Sequence, residues 1–438
     1  MSDVRFWKPV SQLFKPEKPL VDKELEDFYV QREDSPVDKL AIGLQMVDEP
    51  AKYLLAGHRG GGKTTELRRL EKQCQSDYTV VWVDTDTNLD KFNIGHAEVV
   101  VLIGMSIVQQ LEANGWYPPK DLEQGLLASL ARITYQSKDL DEGGLGLPKV
   151  FADLGLLLRI GFQQETKMTR EVRPVLSEII DRVNAIIAVA QSTKRKLLVI
   201  VDGLDRKEFD VALEMFSSSL LTALNCHIVY AVPISLRYSP AFRQPMQGFS
   251  QCLDLDNVPV YRCDAQGRPT TERNLRGREI LKNIVKKRLD TLKQEYDNTY
   301  QGLFAPEAIE LLCEKSGGVM RDLVRLINGA CLAALQAKTA QITLEVAKQA
   351  VREERKTYFI EDYHFPELDA VNQTGTTTSR MVDLPRGKVV ICDELLHHKL
   401  ILGYDDPEYG RWFDVNPILI DDLNRWRAAR SKGSGSEP

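Results

Sequence analysis

Gly57-His58-Arg59-Gly60-Gly61-Gly62-Lys63-Thr64-Thr65 is the stretch of this chain best suited to chemistry. It fits G-x-x-x-x-G-K-[ST], with Gly57, Gly62, Lys63 and Thr64 on the fixed positions. Glycines at 57, 60, 61 and 62 let backbone N–H groups curl around a phosphate, where a side chain would block the approach. The helix that must follow, opening with Lys63, Thr64 and Thr65, turns its positive end toward the anion. Lys63 is expected to reach the β- and γ-phosphates, and the Thr64 hydroxyl to ligate Mg²⁺. His58 and Arg59 are expected to supply backbone amides while their side chains point away. A second element supports the first. Lys196-Leu197-Leu198-Val199-Ile200-Val201-Asp202 is an apolar run closed by an acid. Such a run suits a strand buried on both faces of a parallel sheet, with the acid at the ligand-bearing edge. Asp202 is then expected to hold Mg²⁺, directly or through water.

The elements that must place these groups can be read around them. Tyr53–Ala56 is a short buried strand, and residues 64–70 form an amphipathic helix with Leu67, Leu70 and Cys74 on one face. Strand–loop–helix is the context the phosphate motif requires. Pro36–Met46 reads as a helix leading into the first strand. Val80–Val83 is a second strand, ending in Asp84-Thr85-Asp86, acids better suited to capping a turn than to catalysis. A helix over 98–113, a glycine-rich link at 143–146 and a helix over 172–191 separate that strand from the Asp202 strand. The spacing implies an insertion over about residues 88–170. After Asp205 come a helix over 208–224, a strand over 227–232 and a strand over 252–255. Alternating strands and helices predict an α/β fold with a parallel sheet.

Composition is ordinary for a globular chain: 438 residues, 43% apolar, 27% charged and a formal charge of -6. That length suggests two to three domains. The charge gives no global case for nucleic acid or membrane, and no apolar run is both long and uncharged enough to span a bilayer. Seven cysteines form no C-x-x-C pair and have no histidine at zinc spacing. With no signal peptide in the sequence, a cytoplasmic location is expected.

Residues 1–26 read as a Lys/Pro-rich arm that docks elsewhere, without a core of its own. Residues 266–358 turn helical, with helices over 278–295, 306–315, 320–337 and 343–355, and read as an all-helical second domain, the place of the helical lid in the resemblance given below. Residues 385–427 read as helix (391–397), strand (399–403), strand (410–415) and helix (417–426), a small winged-helix-like domain. Residues 428–438 read as a flexible tail. The basic face Lys282, Lys286, Lys287, Arg288 and Lys293 suits a solvated lid helix better than a DNA surface, because acids lie beside it. Asp421 and Asp422 would repel phosphates, so protein docking suits the last helix better than DNA.

In this order the parts resemble the AAA+ and STAND groups of P-loop ATPases, most closely the origin-recognition/initiator branch. The resemblance covers about 27–355 and, more faintly, 385–427. It implies a P-loop NTPase core over 27–265, a cofactor pair of ATP and Mg²⁺, and roles for further residues. Tyr29 and Val30, in Phe28-Tyr29-Val30-Gln31-Arg32-Glu33, fall where the family lines the adenine pocket. Ser235 falls near the sensor-1 position and Arg321 at the sensor-2 arginine of the lid. Arg243 falls where an arginine finger is offered to a neighbouring subunit, which implies self-association. All of these place charge or donors in advance of the γ-phosphate. The chain departs from the AAA+ pattern at Gly203, which replaces the usual glutamate after the magnesium aspartate. Asp202-Gly203-Leu204-Asp205 looks like the STAND version, making Asp205 the candidate base, against an alternative role in capping the next helix. The expectation is an ATP-driven switch, with slow hydrolysis, that engages a protein partner or effector. A DNA-bound initiator, loader or transposition-type regulator, and a defence or signalling subunit with a separate effector, are the alternative readings. A non-hydrolysing ATP-binding scaffold is a further one.

Overall fold

The structure is a computed structural model describing residues 4–32, 35–85, 95–115, 172–192, 195–296, 302–378, 380–384 and 387–433. Asp86, most of the expected insertion, its glycine-rich link and the last five residues lie outside these. The chain divides into two compact units. One comprises Pro36–Ala56 and Arg69–Leu253; the other comprises Met1–Ser35, Gly57–Arg68 and Asp254–Pro438.

Two helices, α1 (Val4–Leu13) and α2 (Asp22–Phe28), precede α3 (Pro36–Met46). Then come β1 (Lys52–Gly57), α4 (Lys63–Cys74), β2 (Tyr78–Asp84), α5 (His96–Ala113), α6 (Val172–Gln191) and β3 (Lys196–Asp202). α7 (Phe209–Ser217), β4 (His227–Pro233), α8 (Ile234–Tyr238) and β5 (Gln251–Leu255) complete the first layer. The five strands form one parallel sheet in the order β2-β3-β4-β1-β5. β1 and β4 are buried along their whole length, and β3 everywhere past its first residue. Only strands covered on both faces tolerate such unbroken apolar runs. Register sets Asp84 opposite Asp202. From β1 the chain crosses to β2, while β5 lies on the other side of β1, so strand order reverses at the strand that leads into the phosphate motif. Ligands of open α/β sheets bind at such reversals. The expected helix over 208–224 is shorter than its pattern. α7 stops at Ser217, Ser218 turns extended, and its hydroxyl accepts from Leu220 N–H to start a 3₁₀ turn. A serine can offer the backbone that alternative to a helical bond.

The second unit continues with a hairpin, β6 (Tyr261–Cys263) and β7 (Pro269–Arg273). Four helices follow: α9 (Leu275–Tyr296), α10 (Pro306–Lys315), α11 (Met320–Gln336) and α12 (Leu344–Arg355). The arm docks on them. Trp7, Val10 and Phe14 are buried in one cluster with Leu281, Leu312 and Ile327, and Arg288 donates to the Leu13 carbonyl. The C-terminal module comprises α13 (Phe365–Thr374), the hairpin β8 (Met381–Leu384) and β9 (Gly387–Val390), α14 (Ile391–His397), the hairpin β10 (Ile401–Asp406) and β11 (Gly410–Val415), and α15 (Ile420–Gly433). Tyr404 and Trp412 of the second hairpin pack with Val319 ahead of α11. The last helix begins as a 3₁₀ turn at Pro417 and runs past Trp426 to Gly433, so part of the expected tail is helical. No described helix is long and apolar enough to cross a membrane.

Candidate phosphate site

β1 delivers the chain into the loop, and α4 opens with Lys63, the Glu66 N–H bonding back to the Gly62 carbonyl. Gly60 and Gly62 have φ of +86° and +104°. Such values are accessible to glycine at little strain. A Cβ on Gly60 would stand 2.7 Å from the Cβ of Arg321, and one on Gly62 2.8 Å from Nη2 of Arg32. The glycines are thus required by backbone conformation and by close neighbours, as a cradle for a phosphate chain demands. Lys63 is buried, and its Nζ donates to the carbonyls of Gly57 (2.6 Å) and His58 (2.9 Å).

Three segments grip the loop within this unit. Arg321, at the start of α11, donates its backbone N–H to the Gly60 carbonyl (3.0 Å), and its Nε to the Pro16 carbonyl of the arm (3.1 Å). Arg32 donates from Nη2 to the Gly61 carbonyl and from Nη1 to the Asp256 carbonyl (3.1 Å). His58 is turned away from solvent toward β10, its Nε2 accepting from Gly403 N–H at 3.2 Å. Arg59 is exposed, as expected of a side chain that points away. Tyr29 hangs from Glu66: its hydroxyl donates to Oε1 (3.0 Å), while the Ser35 hydroxyl donates to Oε2 (3.0 Å). Val30 is half-buried beside it. Thr64 is half-buried, and the Thr65 hydroxyl accepts from Leu20 N–H at 3.4 Å. Sequence reasoning passed over Arg32 and Glu66. The signal was present: Arg32 lies within the quoted Phe28–Glu33 stretch, and Glu66 directly follows the phosphate motif and is buried.

The other unit carries the acids. Asp202 closes β3, 5% exposed, its carbonyl accepting from the Thr85 hydroxyl (3.0 Å). Gly203, at φ +94°, turns the chain into the 3₁₀ turn Leu204–Arg206 that holds Asp205 half-buried. The N-cap residue of α7 is Glu208, three positions past Asp205. Ser235 sits on α8 just past β4, fully buried, and its hydroxyl has no hydrogen-bond partner among the described residues. Arg243 is exposed at the end of the turn Pro240–Phe242. Arg237 instead donates to the sulfur of Met246 and lies over the Tyr238 ring.

A parallel sheet, a phosphate loop after β1 and an acid closing β3 decide the architecture. The core is that of a P-loop NTPase. No protein-family model matches the chain, and no curated protein does. Several solved structures are similar over nearly the whole length. The Walker-type ATPase PABY2304 of Pyrococcus abyssi has a TM-score of 0.44 at 11% identity, covering 94% of this chain and 99% of that one. Cdc6p of Pyrobaculum aerophilum has 0.40 at 11%, covering 95% and 98%. Drosophila ORC bound to DNA has 0.38 at 14%, covering 96% and 91%. At such scores the strand order and the loop identify the core, not the likeness.

Proposed function

We propose that the chain is an ATP- and Mg²⁺-binding switch that hydrolyses ATP slowly and passes the nucleotide state to its C-terminal module or a partner. The observation carrying this reading is the loop itself: two left-handed glycines backed by close neighbours, between a buried strand and a helix whose first residue is lysine. Such a loop has no purpose in the apolar core and suits a phosphate chain. Loop amides, Lys63 and Thr65 hold phosphates; Thr64 and Asp202 supply the oxygen ligands Mg²⁺ prefers. Tyr29 and Val30 line the base side. Asp205 positions water, Ser235 donates toward the terminal phosphate, Arg321 ties its state to the lid, and Arg243 completes a neighbour's site. The Mg²⁺ ion would supply charge neutralisation at the departing phosphate.

The test is binding of a fluorescent ATP analogue with Mg²⁺, together with phosphate release. Lys63→Ala should abolish binding, and Asp202→Asn should retain some binding but stop release. Unchanged affinity in Lys63→Ala overturns the reading. The DNA-bound alternative is the weaker one, because the basic face of α9 is largely engaged within the chain. Lys282 pairs with Glu310, Lys287 donates to the Tyr29 carbonyl, and Arg288 lies buried against Phe14 and Phe28. A STAND-type subunit acting with a separate effector remains compatible with the Asp202–Asp205 spacing.

A further inference from the structure

The imidazole of His58 leaves the phosphate loop sideways and ends in the C-terminal hairpin. It is 1% exposed, and its Nε2 accepts the backbone N–H of Gly403 on β10 at 3.2 Å. The carbonyl of the same glycine accepts from Asn257, through Nδ2 at 3.1 Å and through the backbone N–H at 3.2 Å. Asn257 also faces the loop: a Cβ on Gly61 would lie 3.7 Å from its Oδ1. Both polar groups of one hairpin glycine are therefore held by residues at the phosphate loop. A second anchor lies close by. Lys399, just ahead of β10, donates to both carboxylate oxygens of buried Asp322 at 2.6 Å, and Asp322 follows Arg321, whose N–H holds Gly60.

We propose that His58 is a positioning residue of the phosphate loop and the link by which the state of that loop is conveyed to the C-terminal hairpin. The inference rests on the reading of the loop as a nucleotide site. A neutral imidazole has one acceptor nitrogen, and here it is Nε2, so the proton sits on Nδ1. Protonating Nε2 would set two donors against each other. Burial, reinforced by the charges of Lys63 and Lys399, pushes the pKa down to about 3, so the bond is a fixed link at neutral pH. Coupling follows from Lys63. Its ammonium is bonded to the carbonyl of His58 itself and to that of Gly57. A triphosphate that draws Lys63 outward breaks those bonds and lets the backbone at 58 shift. The ring then carries the shift to Gly403, because a buried imidazole packed on a strand cannot slacken without losing its partner.

Hydrogen exchange of the 400–406 backbone, read on the full chain, tests this. In the unliganded protein His58→Ala should speed exchange there about tenfold, the worth of one buried hydrogen bond, and His58→Gln, whose amide oxygen can accept from Gly403, should restore protection. A merely space-filling role predicts no rescue by glutamine beyond that given by His58→Leu. In the wild type, saturating ATP analogue with Mg²⁺, its occupancy read separately by fluorescence, should change exchange at 400–406. In His58→Ala that response should disappear. Exchange at 400–406 that is the same in wild type and His58→Ala overturns the link. So does a hairpin in the wild type that ignores bound analogue, a result that stands even if the alanine variant fails to fold. Should the wild type bind no analogue, the nucleotide reading fails, while the unliganded comparison still judges the His58–Gly403 contact.

Discussion

Gly60 meets two demands at once. Its φ of +86° belongs to the left-handed region, and its missing side chain leaves room for the Cβ of Arg321. Gly62 shares the first demand, but its close neighbour is the far end of a flexible arginine, which can move. Gly60→Ala should therefore destabilise the protein by about 1–3 kcal/mol in urea unfolding and abolish binding of the ATP analogue. Gly62→Ala should be the milder of the two in stability; equal losses would mean that backbone conformation alone decides. His58 gives a pH prediction. Its pKa, pushed down from 6.5 to about 3 by burial and then by Lys63 and Lys399, means that the unfolded chain takes up this proton first as pH falls. The residue's contribution is whole above the unfolded value and declines toward the folded one. Buried acids with raised pKa values, Asp414 among them at about 7, act in the opposite sense, so the difference between wild type and His58→Gln isolates the imidazole. The stability gap between the two should narrow from about pH 7.5 to about pH 5 in urea midpoints; a constant gap shows that the ring is not held neutral. The loop was readable in the sequence because its glycines, lysine and threonines are contiguous. The partner of His58 was not, since Gly403 lies 345 positions away and an isolated glycine in a strand marks a close approach without naming what approaches.

At the scale of elements, α11 is fastened to the C-terminal module through charge. Buried Asp322 pairs with half-buried Lys399, Tyr358 donates to the same carboxylate at 3.0 Å, and Lys399 lies over the Tyr358 ring. The pair need not be strongly stabilising as a whole, because desolvating two charges offsets much of their attraction. Breaking one side is different. Lys399→Met leaves a carboxylate buried and should cost about 3–5 kcal/mol in urea unfolding, while adding Asp322→Asn should recover most of that loss. Additive losses in the double variant would refute a coupled pair. Elements were legible where one physical pattern dominated. Apolar periodicity gives α3, α6 and α14 their observed bounds, and glycine before an alternating run gives β11. The hairpins β6–β7 and β8–β9 escaped. β7, Pro-Thr-Thr-Glu-Arg, is half-buried or exposed and has no apolar face, so pairing with β6 through the Gly267 turn makes it a strand rather than burial. α13 escaped because Phe365-Pro366 reads as a break, although proline in the first turn of a helix removes no bond the helix would have made.

For the whole molecule, the proposed hydrolysis makes different demands on one chain and on an assembly. The charges expected at a terminal phosphate fall into two kinds. Arg321 is tied within its own unit, its backbone N–H on Gly60 and its Nε on Pro16, so it can serve the loop beside it. Arg243 stands exposed after a 3₁₀ turn, with its aromatic neighbours Phe242 and Phe249 buried against Phe216 and the turn thereby held firm. A cation on a firm, exposed turn suits a second copy better than its own chain, since a guanidinium acting in trans must project from the surface yet lose little entropy on docking. If Arg243 completes a neighbour's site, phosphate release per protomer should rise with protein concentration and then saturate. Arg243→Ala should flatten that rise, lowering the plateau by about 10³-fold or more as for other arginines supplied in trans, while leaving affinity for the ATP analogue unchanged, because binding uses groups of one chain. Mixing Arg243→Ala with Lys63→Ala then gives the decisive comparison. Each variant is inactive alone, but a mixed assembly pairs an intact loop from the first with an intact arginine from the second, and release should reappear. Failure of the mixture to recover any activity, with wild-type release independent of concentration, would place the whole reaction within one chain.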